Sequence, residues 1–137
     1  MKDYYQIYLI SDSTGETLDR IFLSLKAQFP NFNYKINQYS FVRTENQINK
    51  ILTKCKEDPK VVILYTIVDN RIAKYLSEQC TKNIIPCFGV LENLILSFSK
   101  ILKSEASHKP SGQHAMDEEY YKRIEAIQFT MSHDDGK

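Results

Sequence analysis

An α/β fold is predicted for this chain, with an open, mainly parallel four-stranded sheet and helices on both faces. Three features point to it. Strand-like and helix-like segments alternate four times, the order in which parallel sheets are built. The run Val61 to Val68 is apolar apart from Tyr65 and Thr66, as a central strand covered on both faces requires. The 137 residues are 42% hydrophobic and 26% charged, which suits one domain with an ordinary core.

Each element has its own signal. Tyr5 to Ile10 is an apolar run that reads as the first strand. The first helix carries Leu18, Ile21, Phe22, Leu25 and Phe29 on one face, and Pro30 helps to stop it. Ser13 and Glu16 have capping-box spacing, which predicts Ser13 as the N-cap. The second strand lies within Tyr34 to Val42. Its alternation breaks near Asn37–Gln38, which predicts a bulge or an exposed edge. A second helix turns Ile48, Ile51, Leu52 and Cys55 inward behind a capping box at Thr44 and Gln47, and Asp58–Pro59 marks the turn out of it.

Val61 to Val68 forms the third strand. The third helix begins near Asp69–Asn70, with Asp69 as its cap and Ile72, Ala73, Leu76 and Cys80 facing inward. Ile84 to Phe88 is a short fourth strand with Pro86 near an end or an edge. The fourth helix has the cleanest stripe: Leu91, Leu94, Ile95, Phe98 and Leu102. The α/β domain is thus expected over 1–104, followed by a polar loop at 105–116. A last helix and connector are expected over 117–137, with Tyr120, Ile124, Ile127 and Met131 on the helix's apolar face.

The charge is nearly balanced. Eighteen basic against seventeen acidic residues give +1, and the basic residues are scattered. This argues against a dedicated nucleic-acid binder. No apolar run approaches the ~20 residues of a membrane span, and the N-terminus lacks the pattern of a signal peptide. Three cysteines, Cys55, Cys80 and Cys87, form no CxxC pair, so a reducing, cytoplasmic compartment is expected, with the thiols packed as core residues.

The candidate site is the turn Ser11-Asp12-Ser13-Thr14-Gly15-Glu16-Thr17. A strand that empties through a small, hydroxyl-rich turn into a helix presents main-chain N–H groups to an anion, phosphate above all. Gly15 lets a ligand approach the backbone closely. The same residues also describe a well-capped helix and nothing more. No G-x-S-x-G elbow marks a serine nucleophile. An aspartyl-phosphate role for Asp12 lacks a second carboxylate two residues on, where Thr14 stands.

In open parallel sheets ligands bind beyond the carboxyl ends of the strands. Arg43, after the second strand, and Arg71, after the third, fall at that end and could clamp an anion held by the first turn. Either could equally be a solvated surface arginine. His108, His114 and His133 show no metal-ligand spacing, and no metal is expected. The chain has four glycines and neither a G-x-x-x-x-G-K-[ST] loop nor a G-x-G-x-x-G turn, so no motif within it accounts for nucleotide chemistry.

Several segments resemble one bacterial family. They are Ile10 to Thr17, Ala27-Gln28-Phe29, Tyr65-Thr66-Ile67, the long run Gln113 to Ile127, and His133-Asp134-Asp135-Gly136. Together they are similar to the pyruvate, phosphate dikinase and phosphoenolpyruvate synthase regulatory proteins, and the resemblance covers essentially the whole chain. It implies a bifunctional serine/threonine kinase and pyrophosphorylase. Such an enzyme uses ADP to phosphorylate a threonine beside the catalytic histidine of its target. It removes that phosphate with inorganic phosphate, releasing pyrophosphate.

The target is implied to be pyruvate, phosphate dikinase or phosphoenolpyruvate synthase, and the full-length protein a cytoplasmic homodimer. His114, Asp117, Glu118, His133, Asp134 and Asp135 fall in the matching motifs and become candidate site residues on that ground. The carboxylates after His133 could serve a metal or a base, or simply solvate a helix end. The resemblance also places the family's nucleotide-binding phosphate loop in a C-terminal half beyond Lys137. The chain alone is therefore expected to be inactive and to hold no cofactor, with ADP and inorganic phosphate belonging to the full-length family. The alternative expectation is a non-catalytic binding or dimerisation module with an anion site.

Overall fold

A computed structural model of the protein describes residues 3–107. The predicted last helix and all six motif candidates from His114 to Asp135 lie outside the described residues. Within them the order is β1 (Tyr5–Ser11), α1 (Glu16–Lys26), β2 (Tyr34–Tyr39), α2 (Glu45–Cys55), β3 (Val61–Thr66), α3 (Asn70–Lys82), β4 (Cys87–Gly89) and α4 (Glu92–Leu102). The four strands form one sheet in the order β2-β1-β3-β4, and every pairing is parallel. The predicted α/β class and the parallel sheet are what the structure shows.

The period-2 pleat of β1 divides the core. Tyr8 and Ile10 point to one face, where Ile63 and Tyr65 of β3 meet Ile48, Ile51, Leu52 and Cys55 of α2 and Ile72, Ala73, Leu76 and Cys80 of α3. Ile7 and Leu9 point to the other, where Leu64 meets Leu18 and Phe22 of α1. Two helices thus cover one face, and α1 covers part of the opposite one. The inward residues expected of α2 and α3 are all buried. Of the first helix's expected face, Leu18 and Phe22 are buried, whereas Leu25 and Phe29 are exposed.

Three local expectations need correction. The break at Asn37–Gln38 is an edge and not a bulge: Tyr5 to Ile10 pair one for one with Tyr34 to Tyr39. Polar side chains are tolerated there because they find partners. Asn37 Nδ2 donates to Gln6 Oε1 at 2.9 Å, and Gln38 Nε2 donates to Asp19 Oδ1 on α1.

Ser13 is not the cap of α1. Gly15 holds that position at φ 91°, with no side-chain cap. Both main-chain groups of Ser13 are engaged elsewhere, its N–H with Ser11 Oγ at 3.0 Å and its carbonyl with Phe41 N at 2.9 Å. The chain therefore runs two residues further before it can turn into a helix.

The stripe predicted for the fourth helix is not buried either. No residue of α4 is buried, and Leu94, Leu96, Phe98, Ile101 and Leu102 are all exposed. Leu96 and Ile101 lie off the predicted stripe, so the helix is apolar on more than one side. It leaves the sheet after a three-residue edge strand, tied back at its first turn by Tyr65 Oη, which donates to Glu92 Oε2 at 3.1 Å.

Candidate functional site

Because the strands are parallel and in register, with Ser11 opposite Thr66, the loops after β1, β2 and β3 gather at one edge of the sheet. In the order β2-β1-β3-β4 the chain departs from β1 to one side and returns to β3 on the other. The gap between the carboxyl ends of β1 and β3 is therefore the topological switch point. Asp12 sits in that gap.

The segment 40–43 organises the turn after β1. Val42 N donates to Ser11 O at 2.9 Å and Phe41 N to Ser13 O at 2.9 Å. Ser40 Oγ donates to Thr14 O at 2.8 Å, and Arg43 Nε to Asp12 O at 2.8 Å. Four consecutive carbonyls of the turn, 11 to 14, are thus held by one neighbouring segment. The N–H of Asp12 goes to Thr66 O at 3.1 Å. The main-chain N–H groups of Thr14, Gly15 and Thr17 have no acceptor among the described residues.

The other two helices that begin at this edge differ. Thr44 and Gln47 close α2 with the predicted capping box. Asp69 Oδ1 accepts from Arg71 N at 2.9 Å and from Ile72 N at 3.4 Å, closing α3. Only α1, among these three, starts without a side-chain cap. Its one nearby side-chain contact is Glu16 N to Thr14 Oγ1 at 3.5 Å, a long and weak bond.

The predicted site residues fall into place unevenly. Ser11 and Asp12 are buried, Ser13 and Gly15 half-buried, and Thr14 and Thr17 exposed. Arg43 is exposed and joined to the turn through Asp12 O. Arg71 is exposed in the first turn of α3, at the same edge. No hydrogen bond joins its side chain to the turn among the described residues. Asp12 is the charged group of greatest interest. Its Oδ2 accepts from Val68 N at 2.8 Å, which ties the β1 loop to the β3 loop. Burial raises its carboxyl above the usual carboxylate range, while the Val68 N–H and the Arg43 charge work against that rise.

Sequence reasoning missed Phe41 and Gln47. Phe41 is an exposed aromatic residue held at φ 56°, with the Arg43 guanidinium 5.5 Å from its ring centre. Gln47 anchors this corner. Its Nε2 donates to Phe41 O at 3.2 Å and its Oε1 accepts from Arg43 N at 2.7 Å. The Thr44–Gln47 spacing was a legible signal for Gln47; a left-handed phenylalanine has none. Among the described residues no group of three or more His, Cys, Asp or Glu could hold a metal ion, and no helix is long and apolar enough to cross a membrane.

The arrangement can grip a small anion. Unused N–H groups at a helix start, two exposed hydroxyls and a guanidinium supply donors without a competing cap. The buried carboxylate and the ring of Phe41 flank it.

Comparison with known proteins gives the chain its family. The family model described as kinase/pyrophosphorylase matches residues 7–137. A protein of Pelagibacter ubique (strain HTCC1062) is 62% identical over 136 residues, 99% of this chain and 50% of its own length. One of Chelativorans sp. (strain BNC1) is 40% identical over 99% of this chain and 50% of its own. One of Bartonella bacilliformis is 35% identical over 99% of this chain and 48% of its own. All three carry the name "Putative pyruvate, phosphate dikinase regulatory protein". The chain therefore spans about half the length of these curated relatives. With the match running over nearly all of its residues, the chain belongs to the kinase/pyrophosphorylase family.

Proposed function

We propose that this chain is the N-terminal part of a bifunctional regulator of pyruvate, phosphate dikinase or phosphoenolpyruvate synthase. In this reading the whole protein inactivates its target by phosphorylating a threonine with ADP. It reactivates the target by phosphorolysis with inorganic phosphate. The family match and the relatives' names support the regulatory role. Within that role, the edge formed by Ser11 to Thr17 and Arg43 holds a phosphoryl or phosphate group. The observation that carries this is the uncapped start of α1 beside two self-capped helices.

Phosphoryl transfer asks a protein mostly to position groups and to stabilise charge. The amides of Thr14, Gly15 and Thr17 can do the first without reorganising, because segment 40–43 already fixes the turn. Arg43 supplies positive charge at the same place. ADP would draw its remaining grip from residues other than the described ones, since the chain carries no glycine-rich phosphate loop.

Two measurements test this reading. In the first, inorganic phosphate or pyrophosphate is titrated into the isotope-labelled chain. Amide shifts are expected at residues 14 to 17, weakened several-fold in Arg43→Ala; no response at millimolar ligand removes the site. In the second, the chain is joined to the part of the Pelagibacter relative that it does not cover, and incubated with pyruvate, phosphate dikinase and ADP. Phosphothreonine on the target, reversed by added phosphate with release of pyrophosphate, is expected. Its absence with an active target removes the activity.

A further inference from the structure

Three thiols pack on the side of the sheet that α2 and α3 cover. Cys55 and Cys80 are buried and Cys87 is half-buried. The phosphate site uses none of them. Cys80 and Cys87 stand together because of the way α3 ends. Ile85 N donates to Cys80 O at 2.9 Å and Ile84 N to Thr81 O at 3.3 Å, the two bonds of a Schellman stop. The residue at its bend is usually glycine, because φ is positive there. Here it is Ile84, at φ 55°. The stop folds the chain back on α3, so that Pro86 O accepts from Ile63 N at 2.9 Å and Cys87 opens β4 opposite Ile63.

Alternation along β4 then decides where its side chains go. Phe88 faces the α1 side, beside Leu25 and Leu64. Cys87 faces the other side and packs against the cluster that contains Cys80. The two thiols hydrogen-bond each other. That contact lowers the titration of Cys80 and, together with burial, raises that of Cys87. β4 is an edge strand of the described sheet, and Cys87 is the less buried member of the pair, so a small oxidant meets it first. Cys55 stands apart on α2, 1% exposed and hydrogen-bonded to Tyr8.

We propose that Cys80 and Cys87 form a redox pair, which hydrogen peroxide closes into a disulfide that pins β4 to the end of α3. The Cys87 sulfur attacks one peroxide oxygen and the O–O bond breaks. The departing hydroxide takes the thiol proton and leaves as water, and Cys87 becomes a sulfenic acid. The Cys80 sulfur then attacks the Cys87 sulfur, the S–O bond breaks, and hydroxide leaves with the Cys80 proton as a second water. Two electrons pass from the pair of sulfurs to one peroxide. A three-residue edge strand opens at little cost, and the bridge makes that opening rarer. Val90 N, which donates to Tyr65 O at 3.0 Å at the end of the strand, reports it.

The test treats the whole 137-residue chain with hydrogen peroxide and digests it without reductant. Trypsin cuts between the two cysteines at Lys82, so a bridge joins two peptides. The expected mass spectrum shows Cys80 linked to Cys87 with the loss of two hydrogens, a remaining thiol at Cys55, and reversal by dithiothreitol. Amide exchange at Val90 is expected to slow several-fold on oxidation and to recover on reduction. In Cys87→Ser both effects are expected to vanish, and in Cys55→Ser both to remain. Sulfinic acid at Cys87 without a bridge overturns the proposal, because Cys80 would then be out of reach. So does a bridge that includes Cys55 or joins two chains. Exchange at Val90 indifferent to the bridge also overturns it, since β4 would not be pinned. The mapping on the unsubstituted chain decides the matter even where a variant does not fold, and phosphate plays no part in it.

Discussion

Asp12 bears a cost that its neighbours only partly offset. A carboxylate withdrawn from water is held ionised less readily, and burial is the largest influence on this one. Its carboxyl titrates higher in the folded chain than in the unfolded one. The folded state therefore binds more protons between the ordinary carboxylate range and the raised value. Stability must fall as pH rises through that window. Asp12→Asn retains an oxygen for the Val68 N–H but carries no charge. The variant is expected to be as stable as the wild type or more so at pH 7, with the advantage shrinking towards pH 4. Urea midpoints at the two pH values check it. The same variant is expected to bind inorganic phosphate more tightly, since an anion no longer meets a neighbouring carboxylate.

Gly15 makes the second argument at this scale. Its φ of 91° lies where a side chain is strained, although the space around it is open: a Cβ added there would have its nearest neighbours, Ser40 Oγ and Ser11 Cβ, at 3.6 and 3.7 Å. Gly15→Ala is thus expected to cost about 1–2 kcal/mol through backbone strain alone, read from chemical denaturation. The glycine was visible in the sequence as a permissive residue. Its role as the cap was not, because one of the two hydrogen bonds that displace Ser13 comes from Phe41, 28 positions away in the chain, the other being local, to Ser11 Oγ.

At the scale of elements, the sequence was most readable where the partners are local. The box at Thr44 and Gln47 forms as its spacing requires, with Gln47 N donating to Thr44 Oγ1 at 3.2 Å, and Asp69 caps α3 as expected. Thr44→Ala is expected to lose about 1 kcal/mol. It should also weaken the corner that seats Arg43, so phosphate affinity falls with stability. Gln47→Glu retains an acceptor for the Thr44 and Arg43 N–H groups but loses the donor to Phe41 O, and so separates the two effects. β4 carries a contact no local pattern could reveal. A Cβ at Gly89 would lie 2.7 Å from Cζ and Oη of Tyr65, whose hydroxyl donates to Glu92 Oε2 at 3.1 Å. Gly89→Ala must displace that buried ring, and an overpacking loss of about 1–3 kcal/mol is expected in a thermal melt.

At the scale of the molecule, alternation of strands and helices was enough to place the three loops at one edge, because parallel pairing leaves no other arrangement. What the pattern could not tell is which apolar faces end up covered. The stripe of α4 reads in sequence like that of α3, yet α3 buries Ile72, Ala73, Leu76 and Cys80 while α4 buries nothing. The difference lies in what stands beside each helix: α3 rests on β3 and α2, whereas α4 departs from an edge. Amphipathicity records that a helix has a partner, not that the partner belongs to the first hundred residues.

This contrast gives a prediction with two independent readouts. Leu94, Phe98 and Ile101 are exposed, so replacing all three with lysine removes no core contact. Surface changes of this kind fall within about ±0.5 kcal/mol each, and the melting temperature is expected to stay within a few degrees of wild type. Large exposed apolar patches drive association, so the triple variant is expected to scatter less light than wild type at equal concentration. A melting temperature lowered by ten degrees or more would mean that α4 contributes to the fold of this chain. Unchanged scattering would mean that its apolar side is already covered. Stability and association moving separately is the behaviour of a helix that buries none of its residues against the sheet domain.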